Sequence, residues 1–209
     1  MSLYLGQIHY WLFNKINLFE LGEKDIKIWA KKEGLKVDEW EKEIYDEFGE
    51  PLENKPLEDM IDTGNIHGWL QDKISRAEYR YATLVTRILE VNKDYINDLN
   101  EIMNLKGNRE GKAYDKDKNS LESIYNVIND YVVEGMPCDR INEIIESSNT
   151  ELTWKRTRCL HKQYWDFVGG NVENYYILRE SWIKAFLKSI NEDLAYREIE
   201  DGLYKIQLK

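Results

Sequence analysis

Apolar and aromatic residues recur every three or four positions along most of this chain, the spacing of amphipathic helices. Over residues 3–20, Tyr4, Ile8, Trp11, Leu12, Ile16 and Phe19 fall on one face, and Gly22 is expected to end that helix. Ile26, Trp29 and Ala30 line a second piece, 24–32. Val37, Trp40, Ile44 and Phe48 line a third, 37–48, with Gly34 between the two. Gly49, Pro51 and Pro56 then interrupt the pattern, as glycine and proline do. From Asn65 to Met103 the period runs through Ile66, Leu70, Ile74, Ala77, Tyr81, Leu84, Ile88, Val91, Tyr95, Ile96 and Leu99. That predicts a helix far longer than average, either kinked or running as the central strut of a bundle.

The stretch NLKGNREGKAYDKDKN, 104–119, is polar, holds two glycines and has no apolar period, so it reads as the junction between two parts. Ser120 is placed to cap a helix carrying Leu121, Ile124, Tyr125, Ile128, Tyr131 and Val132, which Gly135 and Pro137 stop. A short helix is predicted over 138–147. The period then changes: TELTWKRTRCL, 150–160, is rich in β-branched and aromatic residues and reads as a strand. A helix over 172–190 follows, with Val172, Tyr175, Tyr176, Trp182, Ile183, Phe186 and Ile190 buried. LAYREIEDGLYKIQL, 194–208, then folds as a hairpin about Asp201-Gly202. The fold class is α-rich α+β: an N-terminal helical bundle subdomain with one long helix, 1–112, and an α+β subdomain, 113–209, whose helices pack on a small three-stranded antiparallel sheet.

Composition narrows the function classes. The 209 residues carry a formal net charge of −10, which phosphate backbones repel, so nucleic acid is not an expected partner. Lys155, Arg156 and Arg158 form a local basic cluster, read as a solvated strand face. No apolar run approaches the roughly 20 residues that span a bilayer, and no membrane association is expected. The start of the chain lacks the basic and apolar pattern of a secretory signal, and two cysteines are too few for a disulfide framework, so a cytoplasmic location is expected.

One repetition stands out. GQIHYWLFNKI at 6–16 and GNIHGWLQDKI at 64–74 share Gly, Ile, His, Trp, Leu, Lys and Ile, and contain two of the three histidines, His9 and His67. The flanks do not match, so the picture is of two helices presenting matching ends across a pseudo-twofold, not of a duplicated domain. Each histidine lies on the apolar side of its helix, one turn from Leu12 or Leu70. Two readings follow. In one, each imidazole is a core side chain bonded to a neighbour. In the other, His9, His67 and His161 converge as ligands for zinc or iron, with Cys159 pointing the same way as His161 from alternate strand positions.

Cys159 is also a candidate nucleophile, with His161 as its base and Arg156 and Arg158 nearby to favour thiolate. Cys138 stands at the start of the predicted 138–147 helix. The acidic residues Glu41, Glu43, Asp46, Glu47, Asp94 and Asp98 read as solvated helix faces. We place a pocket where the two parts meet, lined by these histidines and Cys159, with Trp11, Trp69 and Tyr164 as walls.

The order of elements over residues 120–209, a strand ending Thr157-Arg158-Cys159, then a loop, a helix and a closing hairpin, resembles the L-2-amino-thiazoline-4-carboxylic acid hydrolase family. The resemblance implies Cys159 as the catalytic residue and a thiol-assisted hydrolysis of a small cyclic amidine-like substrate. The functional expectation is therefore a protein with a small-molecule or metal-binding pocket, a metal- or thiol-dependent hydrolase in its enzymatic version. Its competitor is a non-catalytic sensor or protein-interaction module whose histidines are structural. A homo-oligomer is compatible with either.

Overall fold

The computed structural model describes residues 5–115 and 119–209; Tyr4, assigned above to the first apolar face, and residues 116–118 of the polar stretch lie outside them. The architecture is α-rich α+β, with helices α1 (Gln7–Lys32), α2 (Val37–Phe48), α3 (Ile66–Val91), α4 (Tyr95–Ala113), α5 (Leu121–Tyr131), α6 (Lys162–Phe167) and α7 (Glu173–Ile190). Among the described residues four strands complete it: β1 (Asn142–Ser147), β2 (Glu151–Arg156), β3 (Leu194–Glu200) and β4 (Leu203–Leu208). The chain divides into two compact units, interleaved in sequence. Unit 1 comprises residues 1–93, 131–136 and 161–171; unit 2 comprises 94–130, 137–160 and 172–209.

In unit 1, α1 runs straight through Gly22. A glycine inside a helix costs about 1 kcal/mol relative to alanine, but the buried stripe Leu12, Ile16, Glu23, Ile26 and Ala30 continues across it without a phase break. Packing of that stripe outweighs the local penalty. α1 and α3 are parallel neighbours. His9–His67, Glu23–Arg80 and Glu20–Arg80 contacts span 58, 57 and 60 residues, a near-constant offset that only parallel helices produce. α2 returns between them: Lys27 meets Glu41 and Lys31 meets Asp38, while Phe48 stacks on Tyr79 and Glu43 pairs with Arg87. Leu12, Phe13, Ile16, Leu57, Ile61, Ile66, Leu70, Ile74, Ala77 and Val133 form one contiguous buried core.

The long helix expected over 65–103 is broken. α3 ends at Val91, Asn92 is extended (φ −155°, ψ 120°), and α4 begins after Asp94. Asn and Asp compete with the helix for backbone hydrogen bonds; Asn97 bonds back to the Asp94 carbonyl through both its amide and its side chain. Val91, counted above in the apolar stripe, is exposed.

In unit 2, the polar stretch read as a junction is helical up to Ala113. Its two glycines are a packing device. A Cβ at Gly107 would clash with the Trp182 carbonyl oxygen, and one at Gly111 would lie 2.6 Å from the Phe186 carbonyl oxygen and 2.9 Å from Ser189 Cβ. Glycine at i and i+4 thus lets the α4 backbone approach α7. Trp182 Nε1 donates to Glu110 at 2.7 Å and Ser181 Oγ to Asn100 at 2.7 Å along the same contact.

The sheet has four strands where three were expected, in the order β1-β2-β4-β3, all antiparallel. The additional strand, β1, occupies residues read above as a short helix. Only Pro137–Asp139 forms a single 3₁₀ turn; Ile144 and Ile145 favour the extended chain and β2 offers it a paired edge. The expected hairpin forms, with Gly202 at φ 72° in its turn. Trp154, Tyr196 and Tyr204 share the buried face, the two tyrosine rings stacked at 6.0 Å, and Tyr125 of α5 meets Trp154 edge-on at 5.1 Å.

Gly107→Ala distinguishes packing from propensity. Alanine would favour an isolated helix by about 1 kcal/mol, whereas a forced separation of α4 from α7 costs about 1–3 kcal/mol. We expect net destabilisation in urea unfolding; a stabilised variant would remove the close-packing role.

Candidate functional site

The repeated phrase builds the same local structure twice. In each copy the lysine ammonium lies over the tryptophan one turn earlier, Lys15 at 4.0 Å from the Trp11 ring centroid and Lys73 at 5.3 Å from that of Trp69. Leu12 and Ile16, and Leu70 and Ile74, enter the one core. The starts differ by one position. Gly6 is the N-cap of α1, whereas Asn65 caps α3 and its side-chain oxygen accepts from the Gly68 amide at 3.2 Å.

Because the two helices are parallel, His9 and His67 meet, Nε2 to Nε2 at 3.4 Å, with ring centroids 5.5 Å apart. His9 is buried and His67 exposed. His9 Nδ1 accepts the Gly6 amide at 2.9 Å, so its neutral ring carries hydrogen on Nε2. His67 Nε2 must then accept, which places its own hydrogen on Nδ1. The 3.4 Å separation also matches two imidazoles on a tetrahedral zinc with bonds of about 2.0–2.1 Å. The Gly6 bond opposes this use of His9, since it keeps the proton on the nitrogen that would bind the ion.

His161 does not join this pair in a metal cluster. It precedes α6, and its Nδ1 lies 2.9 Å from Glu78 Oε1 on α3, both side chains 2% exposed. Among the described residues no group of three or more His, Cys, Asp or Glu side chains is arranged to hold a metal ion. The zinc or iron set of His9, His67 and His161 is therefore represented by one histidine pair and one buried His–Glu bond. Glu78 was not singled out in the sequence, although it lies between Ala77 and Tyr81 on the apolar stripe of α3. That position was the available signal. The buried Tyr81 hydroxyl is held well above the usual tyrosine range by desolvation, with Glu78 adding to it.

In unit 2, the Tyr176 hydroxyl donates to Cys159 Sγ at 2.9 Å, and the Arg156 guanidinium lies over the Tyr176 ring at 3.9 Å. The basic cluster is split among separate contacts: Arg156 also binds Asp201, Arg158 binds Asp139 at 2.8 Å, and Lys155 is exposed. Tyr176, which sequence reasoning placed only in the core, is thus the observed partner of the thiol. Cys138 is exposed.

The aromatic walls proposed from sequence occupy separate places within unit 1. Trp69 faces Phe13 at 6.5 Å, Trp11 carries Lys15, and buried Tyr164 bonds Ser75 at 3.1 Å and meets Tyr79 edge-on at 4.8 Å. Concavities on this unit, among the described residues, include the following. A groove of about 890 Å³ runs along Asn14, Asn17, Leu21, Lys24 and Ile28 of α1 and is closed by residues 51–55. Its charged border is largely self-paired, through Lys27 with Glu41 and Lys31 with Asp38. Burial pushes the Tyr45 hydroxyl there up to about 12. A smaller cavity, of about 280 Å³, lies against Phe48, Thr86 and Phe167.

No helix among the described residues is long and apolar enough to cross a membrane. Comparison with family models, with curated proteins and with solved structures gives no match.

Two measurements check this geometry. Two-bond proton–nitrogen correlation spectra at neutral pH are expected to show His9 as the Nε2–H tautomer and His67 as the Nδ1–H tautomer; the reverse pair would break the assigned bond. Glu78→Ala, which leaves His161 buried without its carboxylate, is expected to lower unfolding free energy by about 3–5 kcal/mol. A loss under about 1 kcal/mol, the level of an exposed ion pair, would contradict a closed, buried bond.

Proposed function

We propose that this chain is a small-molecule-binding protein without turnover, a sensor-type module in which the histidines are structural. One observation carries the reading: every residue nominated from sequence for chemistry already holds a protein partner. His9 accepts from Gly6 and meets His67, His161 is bonded to Glu78, and Cys159 receives the Tyr176 hydroxyl. A general base needs hydrogen-bond reach to a substrate proton, and His161, at 2% exposure, offers its Nδ1 to a carboxylate instead.

A thiol-dependent hydrolase is the second reading. It is favoured by the hydroxyl donor at 2.9 Å from Cys159 Sγ, by the guanidinium over the same tyrosine, and by the resemblance over residues 120–209.

Native-state alkylation with iodoacetamide, read residue by residue by mass spectrometry, separates the two. Under the binding reading exposed Cys138 reacts before Cys159, which is half-buried and hydrogen-bonded. Cys159 reacting first, together with hydrolysis of a cyclic amidine-type substrate lost in Cys159→Ser, would establish the hydrolase and overturn our proposal. On the same preparation we expect no stoichiometric zinc or iron and no change in melting on chelation.

A further inference from the structure

We infer that the groove of about 890 Å³ along α1 is a docking site for an acidic amphipathic helix of a partner protein, a role separate from small-molecule binding.

The spacing along α1 sets the shape of the occupant. Asn14, Asn17, Leu21, Lys24, Ile28 and Lys31 line the groove, three and four positions apart in strict alternation. That alternation is the seam of a coiled coil, the stripe a second helix packs against. It lies on the opposite side of α1 from buried Leu12, Ile16, Ile26 and Ala30. Leu21 and Ile28, one heptad apart, are 44% and 45% exposed. One exposed apolar side chain is ordinary, but two in helical register along one groove give a second helix its anchor points. From Asn14 to Lys31 the seam spans about 26 Å, or about five turns. A compact small molecule fills little of that length.

The walls are held in place by the protein itself. Residues 51–55 are tied to α1 by the Leu52 amide, which donates to Glu20 at 2.9 Å, and Glu20 also accepts from buried Arg80. The Tyr45 hydroxyl of α2 lies 2.5 Å from Lys27 and donates to Glu41 at 2.8 Å. An arriving helix does not have to order these walls, which removes one cost of binding.

Charge selects the partner. The inner charges are met within the protein, Glu20 by Arg80 and Lys27 by Glu23 and Glu41. Among the described residues the exposed charges lining the groove are Lys24, Lys31, Lys55 and Glu53. Lys24 stands on the seam between Leu21 and Ile28 and has no ion-pair partner among the described residues. Lys31 and Lys55 hold exposed pairs with Asp38 at 2.6 Å and Glu53 at 2.5 Å, and such pairs contribute little. This is a cationic border on a chain of formal net charge −10. A second copy seated here in two-fold register, Leu21 on Ile28, would bring two Lys24 ammoniums together, a like-charge contact that disfavours self-association. A helix with carboxylates beside its apolar stripe meets both the seam and the lysines.

Fluorescence anisotropy of a labelled, blocked peptide of about 18 residues, titrated with the full chain, tests this. The peptide is alanine-based, with Leu at seam positions and Glu beside them; its twin carries Lys in place of Glu. We expect the Glu peptide to bind with a dissociation constant of about 1–100 μM and the Lys peptide at least about tenfold more weakly. Lys24→Glu should narrow or reverse that preference, and Leu21→Ser/Ile28→Ser should weaken the Glu peptide at least about tenfold. All three positions are exposed, so these variants should keep the native melting transition; Lys24→Glu carries the test should the double variant lose it. No binding at about 0.1 mM protein, equal affinity for the two peptides, or unchanged affinity in Leu21→Ser/Ile28→Ser would overturn the inference. So would a dimer of the free chain, seen by sedimentation, that the double variant dissociates, because the face would then belong to a second copy. Decanoate binding there more tightly than the Glu peptide would also overturn it, and would give the groove to a small amphiphile.

Discussion

Unit 1 is organised around one buried guanidinium. Arg80 of α3 is 1% exposed, and it donates to Glu20 and Glu23 of α1 and to the carbonyls of Gly49 and Glu50 beyond α2. Burying a charge is tolerated only when its hydrogen bonds are met, and removal of one partner leaves the others stranded in low dielectric. Sliding α1 along α3 by one turn would do that. Arg80 therefore sets the register that the apolar stripes alone leave loose, because leucines and isoleucines pack in several offsets and a fork of N–H donors does not. The cost is visible at Glu20: burial outweighs the attraction of Arg80 and holds its carboxyl above the usual carboxylate range. Glu20 also accepts the Leu52 amide at 2.9 Å, which ties the segment after α2 to the same centre.

The remaining features of unit 1 follow from that register. Parallel alignment of α1 and α3 brings their N-terminal turns together, so His9 faces His67. The repeated phrase is then one local solution used twice: a tryptophan covered by lysine, with a leucine and an isoleucine in the core. The histidine pair is a by-product of two similar helix starts lying side by side, and no further ligating side chain joins it to form a cluster of three among the described residues. Arg80 also holds the backbone just past Phe48, and with it the end of α2 that walls the small cavity.

Much of this was legible in sequence where one face meets water and the other a core. The stripes of α1, α2, α5 and α7 and the Asp201-Gly202 hairpin are patterns that local physics enforces. The errors share a cause. Gly22, and the pair Gly107 and Gly111, are read locally as breakers, but the first is overridden by a continuous stripe and the other two exist because another helix backbone lies against them. β1 is an edge strand with little burial, so no alternation marked it. Val91 and Tyr95 kept an apolar period across a break that Asn92 and Asp94 make through backbone competition. At the candidate sites, sequence showed which residues carry chemistry and not which partners they meet. Nothing local joins His161 to Glu78 or Cys159 to Tyr176.

Those partners are what separate a reactive group from a structural one, and α3 shows the distinction along a single helix. Ser75 is bonded to Tyr164, Glu78 to His161, Arg80 to α1, Thr83 to the Tyr79 carbonyl and Arg87 to Glu43. Two buried oxygens on this helix lack partners among the described residues, Glu78 Oε2 and Thr86 Oγ1. Both are covered by the surrounding protein. Glu78 is 1% exposed and its other oxygen is engaged by His161, so its deficit belongs to a sealed core. Thr86 lines the small cavity, but its Oγ1 packs against Gly170. An unmet hydrogen bond costs the same in both places, and in both the surrounding packing keeps the oxygen from solution.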